Sequence, residues 1–258
     1  MSESAFIEVR GRKLEYRYFE PKQVTQSRPV IVTLHEGLGS VSMWREFPAL
    51  LANATRTRVL AYSRFGHGRS DPSADPPKAP GMQEREALEV LPEVLSALGI
   101  ERPVLFGHSD GASMALIYAG SAPDRVAGII ALAPHVFVED ICIKSIEATK
   151  HSYLTTDLRQ KLARYHDDPD CAFWGWNNVW LDSAFRAWNI ERYLPSIRCP
   201  VLAIQGYEDE YGTMEQLERM ARALAHIEIL KLENCRHSPH RDKPAEVLAV
   251  AQRFFDRV

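Results

Sequence analysis

The stretch Pro103-Val104-Leu105-Phe106-Gly107-His108-Ser109-Asp110-Gly111-Ala112-Ser113-Met114 decides how the rest of the chain is read. Pro103 to Phe106 is a short apolar run, as in a strand covered on both faces. Ala112 to Ala119 reads as a helix. Between them, Gly107-His108-Ser109-Asp110-Gly111 has the G-x-S-x-G spacing. Strand, sharp turn and helix around that pattern make a nucleophile elbow, with the serine strained and its Oγ exposed at the tip. Glycine at either side leaves room where a Cβ would collide with the neighbouring strand or helix. The N–H of Asp110 then points the same way as Oγ and can donate to a developing oxyanion. The plainer alternative is a serine that caps the helix in a tight turn.

Upstream of this stretch, Phe6 to Arg10 and Lys13 to Tyr18 flank Gly11 and read as a hairpin. Pro21 to Pro29 is a polar connection. Val30 to Leu34 is a continuous apolar run leading into His35-Glu36-Gly37-Leu38-Gly39-Ser40. Met43 to Ala54 reads as a helix and Arg58 to Tyr62 as the next strand. Ser63-Arg64-Phe65-Gly66-His67-Gly68-Arg69-Ser70 is a glycine-punctuated turn, and Pro72 to Pro80 a surface loop. Gln83 to Leu98 places Leu88, Leu91, Leu95 and Leu98 at helical spacing, with Pro92 predicting a kink or break.

Downstream, Gly128 to Ala133, Cys199 to Gly206 and Ile227 to Leu232 read as strands. Met214 to Ala225 and the segment from Pro244 read as helices, the last with Val247, Val250, Ala251 and Phe254 as its inner stripe. Strands alternating with helices predict an α/β protein with a mostly parallel sheet covered on both faces. Pro134 to Arg198 breaks the rhythm with helical patterns and aromatic residues. Four of the chain's five tryptophans lie there. It reads as a helical insertion over the carboxyl ends of the strands, where open α/β sheets bind ligands. The predicted organisation is a core from residues 1–135 and 198–258, with the insertion at 136–197. Most of its aromatics are expected to pack the insertion's own core.

Composition narrows the classes. With 258 residues and a net charge of −3, the chain has no basic nucleic-acid footprint. Its N-terminus lacks the basic start and apolar stretch of a signal peptide, and no run approaches a membrane span. Cys142, Cys171, Cys199 and Cys235 are far apart and form no C-x-x-C pair. The expectation is a cytoplasmic protein with no metal, no cofactor, no nucleic-acid partner and no membrane partner.

These motifs together resemble the α/β-hydrolase superfamily over nearly the whole chain. The carrying pieces are His35-Glu36-Gly37, Gly66-His67-Gly68-Arg69-Ser70, the elbow, the acidic turn after Gly206, and His237-Ser238-Pro239. The order Ser, acid, His matches the family. The resemblance implies Ser109 as nucleophile and His237 as base, with His240 as the competitor. It implies Asp209 as the orienting acid, three residues after Gly206, with Glu208 and Glu210 solvated beside it. It places the helical insertion where family members carry a cap. The His35-Glu36-Gly37 turn resembles the family's His-Gly-x turn and should supply a second oxyanion donor beside the N–H of Asp110. That donor is the N–H of Gly37, or of Leu38, because Glu36 stands where the family has glycine.

A serine at the elbow sets aside the aspartate-dependent dehalogenases and epoxide hydrolases. The leading reading is hydrolysis of a small carboxylic ester through an acyl-enzyme. The alternatives are a carbon–carbon or enol-lactone hydrolase of aromatic degradation, an amino-acid esterase, and a non-catalytic receptor on the same fold. Ser109-Asp110-Gly111 resembles valacyclovir-hydrolase-like esterases, in which this aspartate meets a substrate amine; a role in the helix's first turn is the alternative. Phe137, Trp174 and Trp176 are the expected pocket wall, and Trp180 and Trp188 the insertion's core.

Overall fold

Arg10 and Gly11 both have positive φ, 55° and 70°, the two-residue turn whose twist suits a hairpin. It joins β1 (Ala5–Val9) to β2 (Arg12–Phe19) as an antiparallel pair. The remaining strands are β3 (Ile31–Leu34), β4 (Val59–Tyr62), β5 (Val104–His108), β6 (Gly128–Leu132), β7 (Val201–Gly206) and β8 (Ile227–Leu232). In this computed structural model, residues 4–23, 28–72 and 81–258 are described. Parts of the predicted 21–29 connection and 72–80 loop lie outside them. The strands form one sheet in the order β1-β2-β4-β3-β5-β6-β7-β8, parallel from β4 to β8.

The parallel arrangement follows from the strand sequences. Every residue of β3 to β7 is buried, which requires helices on both faces. Ile31, Phe106, Ile130 and Leu202 face α1 (Phe47–Thr55) and α10 (Pro244–Phe255). Val32, Leu105, Ile129 and Val201 face the other layer. That layer includes α2 (Met82–Arg85), α3 (Leu91–Ala97), α4 (Asp110–Ser121) and α8 (Glu215–Ala223). No helix among the described residues is long and apolar enough to cross a membrane.

The helix expected at Gln83 to Leu98 is interrupted as Pro92 foretold, but one turn earlier. Residues Glu86–Val90 form a π turn, in which the Leu91 N–H reaches back five residues to the Glu86 carbonyl. The extra residue rotates the inner face. Leu88 is therefore 38% exposed, while Ala87 and Val90 are buried. The regular leucine stripe read from the sequence is wrong at its first position for this reason.

Between β6 and β7 lie α5 (Asp140–Thr155), α6 (Leu158–Leu162) and α7 (Pro169–Trp180), followed by two 3-10 turns, Ser183–Ala187 and Glu191–Ser196. Tyr153 stacks on Phe173 at 3.6 Å, and Phe185 stacks on Trp188 at 5.2 Å. Short α9 (Pro239–Asp242) precedes α10.

At Gly111 an added Cβ would lie 2.0 Å from the Leu34 carbonyl oxygen, a backbone atom that cannot move alone. At Gly128 it would meet only the Phe254 ring and Val258, at 3.1 Å or more. Gly111→Ala should therefore cost about 3 kcal/mol or more in urea unfolding, at or above the usual cost of overpacking, and Gly128→Ala less than about 1.5 kcal/mol. Equal losses would show that the α4–β3 contact is not the tight one.

Candidate active site

Ser109 follows β5 at φ 53° and ψ −120°, outside the regions that L residues favour. Its N–H is held by the Leu132 carbonyl at 2.9 Å, so neighbouring β6 helps fix the strained turn. The hydroxyl makes no cap bond to α4. The plain N-cap alternative is therefore set aside.

Two loops converge on this serine. Gly206 ends β7, and a Cβ there would lie 1.9 Å from the Cys235 carbonyl. That close approach brings the turn after β7 against the loop after β8. Glu208 donates its N–H to the Cys235 carbonyl at 3.1 Å and accepts the Cys235 N–H at 2.9 Å. Glu210 accepts the backbone N–H of His237 at 3.2 Å. Glu208 is exposed, as expected, and Glu210 is half-buried; each also ties the two loops together.

The result is a chain of three side chains. His237 Nδ1 lies 2.8 Å from Asp209 Oδ1, and Nε2 lies 3.0 Å from Ser109 Oγ. Ionised Asp209 can only accept, so Nδ1 carries the proton and Nε2 is left to accept from the hydroxyl. Asp209 is buried and also takes the Tyr211 N–H at 2.9 Å and Gln205 Nε2 at 3.2 Å. Burial opposes its charge, but His237 and these donors outweigh burial and hold its pKa below the usual carboxylate value. Burial likewise opposes charge on His237. Asp209, then Glu210 and Glu36, outweigh it and raise the imidazole above its ordinary pKa.

His240 does not reach the serine. It is buried against Trp44 at 5.0 Å and Phe47 at 5.4 Å, and burial pushes its pKa well down. Neither ring nitrogen has a partner among the described residues.

The turn after β3 closes through the Gly39 N–H, 3.0 Å from the Glu36 carbonyl. The N–H groups of Gly37 and Leu38 have no acceptor among the described residues. Asp110 N–H lies in the first turn of α4, where no intrahelical acceptor exists. Trp176 packs so closely on Gly37 that a Cβ would lie 2.2 Å from its indole. Glu36, the departure from the family pattern, places Oε2 3.4 Å from His108 Nδ1 and Oε1 3.4 Å from Arg241 Nη2. His108 Nε2 in turn donates to the His237 carbonyl at 2.7 Å.

Asp110 sits in the first turn of α4, the alternative foreseen for it, and its carboxylate does not face the substrate cavity. It is buried, accepting from Trp180 Nε1 at 3.2 Å and Gln83 Nε2 at 3.4 Å. Burial raises its pKa. It lies behind Trp180 and is not on the wall of the cavity beside Ser109.

That cavity holds about 190 Å³. Trp176 and Trp180 of α7, Cys142 and Ile146 of α5, His135 and Tyr211 form part of its wall. Two expected wall residues are elsewhere. Phe137 lies under the Arg219 guanidinium, 3.6 Å from its ring centre. Trp174 lines a second cavity on the far side of Trp176. Trp180 was read as core alone and is both core and wall. The sequence reading missed Tyr211, His135 and Gln205. A signal existed for Gln205, a polar residue inside the apolar run from Val201 to Gly206.

The alpha/beta hydrolase fold family matches residues 29–173, and the chain belongs to that family. A proline iminopeptidase of Heyndrickxia coagulans is 24% identical over 297 residues, covering 100% of both chains. The carboxylesterase YbfK of Bacillus subtilis is 30% identical over 135 residues, 52% of this chain and 42% of that protein. The crystal structure of proline iminopeptidase from Mycobacterium smegmatis superposes with a TM-score of 0.81 at 18% identity, covering 99% of this chain and 98% of that one. The chain is thus a hydrolase of this fold.

A base must be neutral to take the serine proton. With His237 as the proposed base, activity should fall as pH drops through its pKa, and the raised value puts this limb of kcat/KM above the ordinary imidazole midpoint of about 6.5. Asp209→Asn should move the limb to lower pH and reduce kcat by about 10⁴. A pH profile of the variant checks both. A limb that stays in place would mean that Asp209 does not set the basicity of His237.

Proposed function

We propose that the protein is a serine hydrolase that cleaves a small carboxylic ester through an acyl-enzyme. The observation that carries this reading is the Ser109–His237–Asp209 hydrogen-bonded chain on a strained elbow, opening into a cavity of about 190 Å³. In this reading Ser109 Oγ attacks the ester carbonyl as its proton passes to His237 Nε2. The tetrahedral oxyanion takes the N–H groups of Asp110 and Gly37. As it collapses, the carbon–oxygen bond to the alcohol breaks and the imidazolium returns the proton to the leaving oxygen. Water then gives a proton to His237 and its hydroxyl to the acyl carbon. As this second intermediate collapses, the bond from the acyl carbon to Ser109 Oγ breaks and the imidazolium returns the proton to Oγ, releasing the acid and restoring Ser109. Asp209 keeps its charge throughout and stabilises the imidazolium.

Residues 136–197 act as a cap in this reading, with Trp176, Trp180 and Ile146 as the acyl wall. The buried Asp110 weakens the amino-ester alternative in the form the sequence suggested. An amine-bearing substrate keeps one support, the Glu36 and Glu210 carboxylates on the cavity wall. Each is already paired, with Arg241 and Arg236 respectively, and the simple ester is therefore the leading substrate. A cytoplasmic setting agrees with the four unpaired cysteines.

Ser109→Ala and His237→Ala should each lower p-nitrophenyl acetate turnover by about 10⁴ or more, and the double variant should be hardly worse, because the residues act as a unit. His240→Ala should stay within about tenfold and lose stability instead. Full activity in Ser109→Ala would end the acyl-enzyme reading. A panel of acyl esters, amino-acid esters, prolyl anilides and a dienone ring-cleavage substrate separates the substrate classes. Ile146→Ala should raise hexanoate turnover relative to acetate by about tenfold, the scale of one or two methylenes in an apolar pocket.

A further inference from the structure

The turn assigned to the oxyanion is gripped by side chains outside the triad. In a trans peptide the C=O and N–H point in opposite directions. Each carbonyl shares its peptide plane with the N–H of the next residue, so holding the carbonyls of residues 35–38 aims the N–H groups of residues 36–39, the last of which, Gly39 N–H, closes the turn on the Glu36 carbonyl. Arg64 donates to the His35 carbonyl at 2.5 Å and the Glu36 carbonyl at 3.0 Å. His67 faces the Gly37 carbonyl at 2.9 Å and that of Phe65 at 3.0 Å. Burial and the charge of Arg64 push its pKa down to about 3, so the neutral ring has one N–H and donates to one of these two carbonyls at a time.

The fourth carbonyl is held from the insertion. His166 lies between α6 and α7 and is 3% exposed. Its Nδ1 takes the Gly68 N–H at 2.9 Å, so the ring proton of the neutral form is on Nε2. Nε2–H donates to the Leu38 carbonyl at 3.0 Å. Beside it, the Asp167 N–H donates to the Gly68 carbonyl at 2.9 Å. His166 thus joins both glycine-containing turns of the core, after β3 and after β4, to the segment that carries Trp176 against Gly37.

We propose that His166 is a positioning residue that holds the Leu38-Gly39 peptide, and with it the oxyanion turn, in register for the transition state. The seating of the helical insertion on the core then sets the aim of the oxyanion donors as well as the pocket wall. The inference rests on reading that turn as an oxyanion donor in a serine hydrolase.

The test uses the full-length protein with p-nitrophenyl acetate and a phenylboronic acid, whose adduct on serine carries the tetrahedral negative charge. His166→Asn places a side-chain oxygen near the position of Nδ1 and keeps the Gly68 bond, but is too short for the Leu38 carbonyl. It should lower kcat by about tenfold or more, a fraction of the ~10²–10³ that one donor is worth, with KM within about threefold. Boronate affinity should fall by a similar factor. His166→Gln, which can reach the carbonyl, should recover most of both. His166→Phe should behave as His166→Asn, and if it does not fold the Asn and Gln pair decides alone. A folded His166→Asn with kcat and boronate affinity within twofold of the parent, beside an inactive Ser109→Ala, would overturn this proposal alone. So would a rise in KM with kcat intact, which marks a role in substrate access. Turnover that survives in Ser109→Ala would overturn the serine-hydrolase reading itself.

Discussion

The site depends on how closely α4 lies against the carboxyl ends of β3 and β5. Gly111 touches the Leu34 carbonyl where a side chain would be, and Gly107 touches the backbone of Gly111 and Ala112 in the same way. Such contacts leave the connecting residue no relaxed alternative. Ser109 keeps a positive φ because strand, helix and the Leu132 carbonyl all hold it there. The cost of that strain, of order 1–3 kcal/mol, is set against the buried apolar layers on both faces of the sheet. A similar approach at Gly206 brings the acid and histidine loops together. Backbone contacts therefore place all three side chains, and the hydrogen bonds between them refine the geometry.

Electrostatics then assigns the roles. Three histidines near the serine are pushed towards neutrality by burial, namely His35, His135 and His240. His237 is buried too, yet shifts the other way because carboxylates surround it. Burial alone would have made it one more neutral core histidine. The same carboxylate ring separates the proposed base from its neighbours in a part of the fold crowded with imidazoles.

The strands and the elbow were legible because their signals are local. An apolar run between glycines reads the same in any context, and G-x-S-x-G between strand and helix leaves few conformations. The π turn at Glu86–Val90 was half-legible: Pro92 announced a break but not its direction, which depends on packing against α4. Cavity lining was the least legible. Phe137 adjoins the core in sequence, yet Arg219 on α8 claims its ring. Ile146 and Cys142 carry no motif and enter the wall only through the turn of α5. His166 had no motif either, because its partners, Leu38 and Gly68, are backbone groups about a hundred residues away.

Glu36 shows how a departure from a motif can be accommodated. In the proposed mechanism, a carboxylate on the cavity wall repels a developing oxyanion, and at an effective dielectric of about 20 two such charges 4 Å apart would interact by about 4 kcal/mol. Two features lessen this. Arg241 pairs with one carboxylate oxygen, so the field reaching the oxyanion is that of a partly compensated charge. Glu36 also favours the protonated form of His237, the form that develops in step with the oxyanion. The same charge thus disfavours one half of the transition-state ion pair and favours the other. A glycine at this position would remove both effects, and with them the His108 contact that lies one hydrogen bond from the His237 backbone.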